Sequence, residues 1–338
     1  MKDQLNPYAK LFSEPKGPGD QRPTALGIVK DNDLLGTWTD KVVLLTGGTS
    51  GIGVETARAL YATGAHVFIT ARSMDKAEAT VQDITSSING RGSIGVIEMD
   101  MDSLESVRKA ADDFLSRTTR LNVLINNAGI MACPRTLTMD GFERQFAVNY
   151  LAHFALTILL LPSLMASSSS TFNSRVVNVS SSSHRFSSVD FSDINLTHSY
   201  DPYRAYGQSK TALNWLSNYI DRAYGPRGVH ALCLNPGGIW TGLQGYATPQ
   251  QLEEWKKDKE TMKQMQSPAQ GAATTVWAAA GKVWEGHGGR YLSSCRVATQ
   301  SENETNAIDD GYAPYNYDTE SEERLWKLSL EMTGLSAP

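Results

Sequence analysis

Residues 41–64 read KVVLLTGGTSGIGVETARALYATG, and this stretch decides the fold. Val42 to Leu45 form a short run of β-branched and aliphatic side chains, which suits a buried strand. Glycines follow at 47, 48, 51 and 53. Ile52, Ala57 and Leu60 then recur at helical spacing, and Gly64 supplies a stop. A strand that feeds a helix through such a turn is a cradle for phosphate. Gly47 permits the tight turn, Gly51 lets the backbone approach a pyrophosphate, and Gly53 lets the helix pack closely on the sheet. The helix N-terminus adds free N–H groups and the positive end of its dipole. A plain glycine turn is the alternative, and the strand-turn-helix frame argues against it.

The alternation continues outward. AHVFITA, GSIGVIEM, NVLINNAG, SRVVNVSS, GVHALCLNP and GGRYLSS read as further strands. Between them lie helical segments: SMDKAEATVQDITSS, SLESVRKAADDFLSR, about Asp140 to Met165, about Tyr203 to Tyr224, and SPAQGAATTVWAAAG. This predicts an α/β, Rossmann-type, doubly wound, seven-stranded parallel sheet with helices on both faces, in a single domain. Residues 1–37 form a leader, of which the first 23 or so, rich in Pro, Gly and charge, read as loose. The domain runs over 38–300, and 301–338 form a tail with a helix. Thr319 and Glu322 have the spacing of a capping box for that helix.

Bulk properties exclude several classes. The 338 residues carry a formal charge of −5, which argues against general nucleic-acid binding. The longest apolar segment, LAHFALTILLLPSLM, is broken by His153 and Pro162, so no membrane span is expected. The first residues lack the apolar core of a secretory signal, and the expected setting is cytoplasmic. Cys133, Cys233 and Cys295 are scattered and the six histidines isolated, so neither a disulfide framework nor a metal site is expected.

Two further signals carry chemistry. The second strand ends Ala71-Arg72 where an enzyme favouring NAD places an acid for the ribose 2′-OH. A guanidinium there suits a 2′-phosphate, which points to NADP, with a solvated surface arginine as the bland alternative. In AYGQSK, Tyr206 and Lys210 lie one helical turn apart on one face. An ammonium beside a phenol favours the phenolate, so the pair can exchange a proton with a carbonyl or alcohol.

The order of these motifs resembles the short-chain dehydrogenase/reductase family. The matching elements are TGGTSGIG, NNAG at 126–129, Asn149 in FAVNYLAHF, VNVSS, YGQSK and NPGGIWT. NNAGIMACP, SPAQGAATTVW and GGRYLSSCRVA look like the retinol dehydrogenase and WW-domain oxidoreductase branch, and the leader resembles its fungal members. The resemblance implies an NADP-dependent oxidoreductase acting on CH–OH or C=O groups, with a setting in fungal secondary metabolism. It implies Tyr206 as general acid/base, Lys210 as the group that lowers its pKa, and Asn149 in a proton relay. Cofactor contacts would come from Thr49, Ser50 and Ile52 in the glycine loop, from Asp100 and Met101, from Asn126, Asn127, Ala128 and Gly129, and from Pro236, Gly237, Ile239 and Thr241. The branch usually has His before the Pro-Gly pair, where this chain has Asn235.

Two serine runs need separating. Ser167 to Ser170 follow a helix and read as connector. Ser180 to Ser183 close a strand; the family pattern picks Ser181 to stabilise the substrate oxygen, with Ser182 the runner-up. Residues 238–266 hold Trp240, Leu243, Tyr246, Leu252, Trp255, Met262 and Met265. They read as an apolar lid for a lipophilic small-molecule substrate, or else as core packing or a dimer contact. A monomer or a homodimer is expected. The competing functional class is a non-catalytic NADP(H)-binding sensor or scaffold on the same fold; the complete Ser181, Tyr206, Lys210 and Asn149 set argues for the enzyme.

Overall fold

The computed structural model describes residues 2–303 and 309–338. Its sheet has the strand order β3-β2-β1-β4-β5-β6-β7-β8. The strands are β1 (Val42–Leu45), β2 (His66–Ala71), β3 (Ser93–Glu98), β4 (Val123–Asn126), β5 (Ser174–Val179), β6 (Val229–Asn235), β7 (Arg290–Ser293) and β8 (Arg296–Val297). The first seven are parallel, as expected; β8 is a two-residue addition that folds back antiparallel on β7. The chain runs β1, β2, β3 to one edge, then returns to place β4 on the other side of β1. That reversal opens a crevice beyond the carboxyl ends of β1 and β4.

Helices α1 (Ala9–Phe12) and α2 (Ala25–Asp31) precede the sheet, and α3 (Gly51–Ala62), α4 (Met74–Ser87) and α5 (Leu104–Arg117) alternate with its first strands. A short α6 (Arg144–Phe146), a five-residue π turn (Ala147–Leu151) and α7 (Ala152–Ser167) form one continuous helix. It is followed by α8 (Pro202–Tyr224), α9 (Pro249–Lys257), α10 (Lys259–Gln264), α11 (Pro268–Gly271), α12 (Ala273–Ala280) and α13 (Thr319–Thr333). Alternation along each strand divides the core. Val42 and Leu44 of β1 face the layer of α5, α7, α8 and α13, while Val43 and Leu45 face α2, α3 and α12. Arg144–Ser167 is the one helix among the described residues long and apolar enough to cross a membrane. Phe154, Leu160, Leu161 and Leu164 spend its apolar surface in the protein core.

Two expectations are corrected. The leader is not loose: Arg22 is 4% exposed, and Ala25, Ile28 and Val29 of α2 join the core against α3 and α12. Pro and Gly forecast irregular backbone there, but irregular backbone can still be packed and paired. The tail helix begins one residue earlier than a Thr319 cap requires. Asp318 is the N-cap, accepting from the Ser321 amide, and Glu322 is buried and hydrogen-bonded by Asn218. Trp326 stacks on Tyr219 with ring centroids 4.1 Å apart, which seats α13 on α8.

Candidate active site

The turn after β1 is held by one buried hydroxyl. Thr46 Oγ1 accepts hydrogen bonds from the Asn127 and Ala128 amides, each at 2.9 Å, and lies 2.8 Å from His153 Nε2. His153 Nδ1 is 2.7 Å from the Asn149 carbonyl, which can only accept. The proton is therefore on Nδ1, and Thr46 donates to Nε2. Burial drives the His153 pKa down to about 3, so the ring stays neutral. This cluster locks the β1 turn to the β4 turn. A Cβ on Gly47 would sit 2.9 Å from the Ala128 Cα, and one on Gly53 only 2.2 Å from the Gly47 carbonyl oxygen. Gly53 is thus a packing position behind the loop rather than a wall of the cleft.

The crevice is a cavity of about 630 Å³. Gly47, Thr49, Ser50, Gly51 and Ile52 line it on one side, with Arg72, Asp100 and Met101 beyond them. Asn127, Ala128, Gly129, Ser181, Tyr206 and Lys210 form another wall, and Pro236, Gly237, Ile239 and Thr241 close the third. Of the predicted site residues, Gly53, Asn126, Asn149 and Ser182 stand back from it, as do Leu252 and Met262 of the expected lid. The residues present fit a dinucleotide. Ser50 is the N-cap of α3 but makes no side-chain cap bond, so the first-turn N–H groups ahead of Gly53, whose amide donates to the Ser50 carbonyl at 3.2 Å, remain for an anionic ligand. Arg72 is exposed and, among the described residues, forms no ion pair.

At the far end, Tyr206 and Lys210 project from α8. Lys210 Nζ donates to the Val179 carbonyl at 2.9 Å and lies 5.4 Å from the Tyr206 ring centroid. Ser180 Oγ donates back to the Lys210 carbonyl at 3.0 Å, so the end of β5 grips the helix. Burial pushes the Tyr206 phenol up to about 12, opposed only by the Ser181 side chain. Burial also brings Lys210 down to about 8. The 5.4 Å approach of the ammonium to the phenol ring keeps the expected pairing of the two groups. In the protein alone, removal from water dominates both groups.

The serine run resolves by placement. Ser181 lines the cavity, while Ser182 stands outside it with its amide donating to Asn235 Oδ1 at 3.3 Å. Asn149 acts from behind. Its side chain accepts from the Ile130 amide at 2.8 Å and donates to the Ile130 carbonyl and Ser209 Oγ, both at 2.9 Å. It therefore braces the loop after β4 against α8. Asn235, noted in the sequence only as a departure, ties three elements together. It accepts from the Ser182 and Gly237 amides and donates to Ser293 Oγ. No local sequence signal marks these partners.

The expected lid is helical. α9, α10 and a single turn at Gly242–Gln244 bring Trp240, Leu243, Tyr246, Trp255, Thr261 and Met265 to the cavity. Arg144, paired with Asp102 at 2.7 Å, is a lining residue that the sequence reading missed.

Comparison with known proteins agrees with this geometry. The short chain dehydrogenase family model matches residues 41–252. The short-chain dehydrogenase/reductase prx1 of Penicillium roqueforti is 51% identical over 330 residues, covering 97% of this chain and 95% of its own length. Mouse polyprenol dehydrogenase is 38% identical over 301 residues, 87% of this chain and 84% of its own. A crystal structure of an uncharacterized Mycobacterium paratuberculosis protein superposes with a TM-score of 0.68 at 30% identity, over 94% of this chain and 99% of its own. The Pseudomonas aeruginosa RhlG/NADP active-site complex gives a TM-score of 0.60 at 26% identity, over 75% and 94% respectively.

Proposed function

The chain belongs to the short-chain dehydrogenase/reductase family, and from that premise we propose that it is an NADP-dependent oxidoreductase acting on the carbonyl or alcohol group of a lipophilic small molecule. The observation that carries this reading is the single cavity that joins the glycine loop and Arg72 to Ser181, Tyr206, Lys210 and an apolar lid. When bound, the nicotinamide supplies or accepts the hydride. The glycine loop and the N-terminus of α3 hold phosphate, and Arg72 is free to pair with a 2′-phosphate.

Tyr206, with its pKa near 12, is protonated at neutral pH and so is poised to donate a proton to a carbonyl oxygen. Ser181 hydrogen-bonds that oxygen and stabilises the charge developing on it. Lys210, when protonated, stabilises the phenolate that remains. Asn149 keeps the loop after β4 in place against α8, and we assign it to the proton-relay side of the site. Trp240, Leu243, Trp255 and Met265 favour an apolar substrate and exclude water. The polyprenol dehydrogenase relative acts, by its name, on a long apolar alcohol, and relatives from Penicillium are in keeping with a role in fungal secondary metabolism.

The test is turnover of NADPH by the purified protein over a panel of ketones and aldehydes, repeated with Tyr206→Phe. Loss of turnover by a factor of about 10²–10⁴ with NADPH affinity retained is expected. Turnover that survives Tyr206→Phe refutes the assignment, and NADPH binding without consumption on any substrate supports a sensor instead.

A further inference from the structure

Arg22 lies in the leader, twenty residues before β1, yet it is 4% exposed. Three of its guanidinium's hydrogen bonds go to one short piece of chain far away in sequence. Nη1 donates to the Gln264 carbonyl at 2.7 Å; Nη2 donates to the Met265 carbonyl at 2.6 Å and the Lys263 carbonyl at 3.3 Å. Nη2 also meets the Gly17 carbonyl at 3.1 Å, and Nε pairs with Asp20 at 2.9 Å. Asp20 is fastened in turn by the Lys16 amide at 2.7 Å and by Gln270 Nε2 at 3.0 Å. Burial would raise the Asp20 carboxyl, but hydrogen bonds from Arg22 and from the Lys16 and Arg22 amides outweigh it and hold the group down at about 2. The pair is therefore charged and matched.

The carbonyls that Arg22 reaches belong to the end of α10, where the last helical acceptors have no partner within the helix. This is also where the lid returns to the domain. The Gln266 amide donates to the Gly238 carbonyl at 2.8 Å, and Gln266 Nε2 to the Pro236 carbonyl at 3.1 Å. Met265, one residue earlier, lines the cavity, as does Thr261 within α10. A fork of planar N–H groups can satisfy several adjacent, diverging carbonyls at once, which a single ammonium cannot do as well.

We propose that Arg22 is a positioning residue that fixes the substrate-side wall of the cavity and thereby sets the preference for bulky apolar substrates over small ones. This deepens the oxidoreductase reading above and rests on it. Arg22 touches neither substrate nor cofactor. It acts through the backbone of residues 263–265, from a segment outside the part of the chain that the family model matches.

The test uses the full-length chain. Wild type and Arg22→Met are compared in NADPH titration, in turnover of a small carbonyl compound and a bulky apolar one, and in limited trypsin digestion. KM for the bulky substrate is expected to rise about tenfold, with both kcat values and the small substrate's KM within about threefold of wild type. NADPH affinity is expected to stay within about threefold, and cleavage after Lys256, Lys257, Lys259 or Lys263 to accelerate. Equal losses for both substrates, an unchanged KM, or a larger loss of NADPH affinity would each overturn the proposal. Because Arg22→Met leaves Asp20 an unpaired buried carboxylate, the combined Arg22→Met, Asp20→Asn variant replaces it if the single variant does not fold. Arg22→Lys should recover part of the bulky-substrate KM, which a general loss of folding would not allow. If wild type turns over nothing, the oxidoreductase reading fails. The tether is then decided by proteolysis, and equal lid cleavage in wild type and variant overturns it.

Discussion

Replacing Thr46 with valine removes one oxygen at almost constant volume from a residue with no solvent exposure. Three groups lose their partner: the Asn127 and Ala128 amides and His153 Nε2. The ring nitrogen is fully buried, and leaving it unpaired costs about 1–3 kcal/mol. The two amides are part-buried beside the cavity, where water can recover some of their loss, so they add about 1–2 kcal/mol together. The fold should therefore lose about 2–5 kcal/mol in urea unfolding. Thr46→Ser keeps the oxygen and should lose about 1 kcal/mol, the methyl's share. The same amides shape the 127–129 wall, so NADPH should bind about tenfold more weakly to the valine variant. A Thr46→Val protein within about 0.5 kcal/mol of wild type, binding NADPH equally well, would refute the view that this hydroxyl locks the two turns together.

Three other consequences can be measured directly. Lys210 has a pKa of about 8, so kcat/KM for reduction should fall above that pH by up to about tenfold per unit, with Tyr206 protonated throughout; a profile flat to pH 10 would contradict a role for the ammonium. Burial lowers His153 to about 3 and His184 to about 4 from an ordinary 6.5. The unfolded chain then binds the extra protons, so stability is lost as pH falls below 6.5, by about 1.4 kcal/mol per pH unit for each ring; a urea midpoint unchanged from pH 7 to about pH 5 would contradict this. Arg72→Ala should weaken NADPH binding by about 1.5–3 kcal/mol while sparing NADH; equal losses for the two dinucleotides would remove Arg72 from the 2′-phosphate.

Much was legible in the sequence because the signals are local. The run Val42–Leu45, the glycines of TGGTSGIG and the four-residue spacing of Tyr206 and Lys210 depend on strand alternation, turn sterics and helical pitch, which act between near neighbours. They determined the parallel sheet, the glycine turn and the placement of Tyr206 and Lys210 on one helical face. Only the tertiary structure shows that Ser180 and Ser181 line the cavity while Ser182 stands back, its amide held by Asn235 far along the chain. Burial, likewise a property of the whole fold, raises the Tyr206 phenol and lowers the Lys210 ammonium, which their spacing alone does not show. Asn149 shares no periodicity with Ile130 and Ser209, nor Thr46 with His153, nor Arg22 with residues 263–265. Such partners become specified only when distant segments meet away from water, where an unpaired polar group is costly and a matched one fixes position.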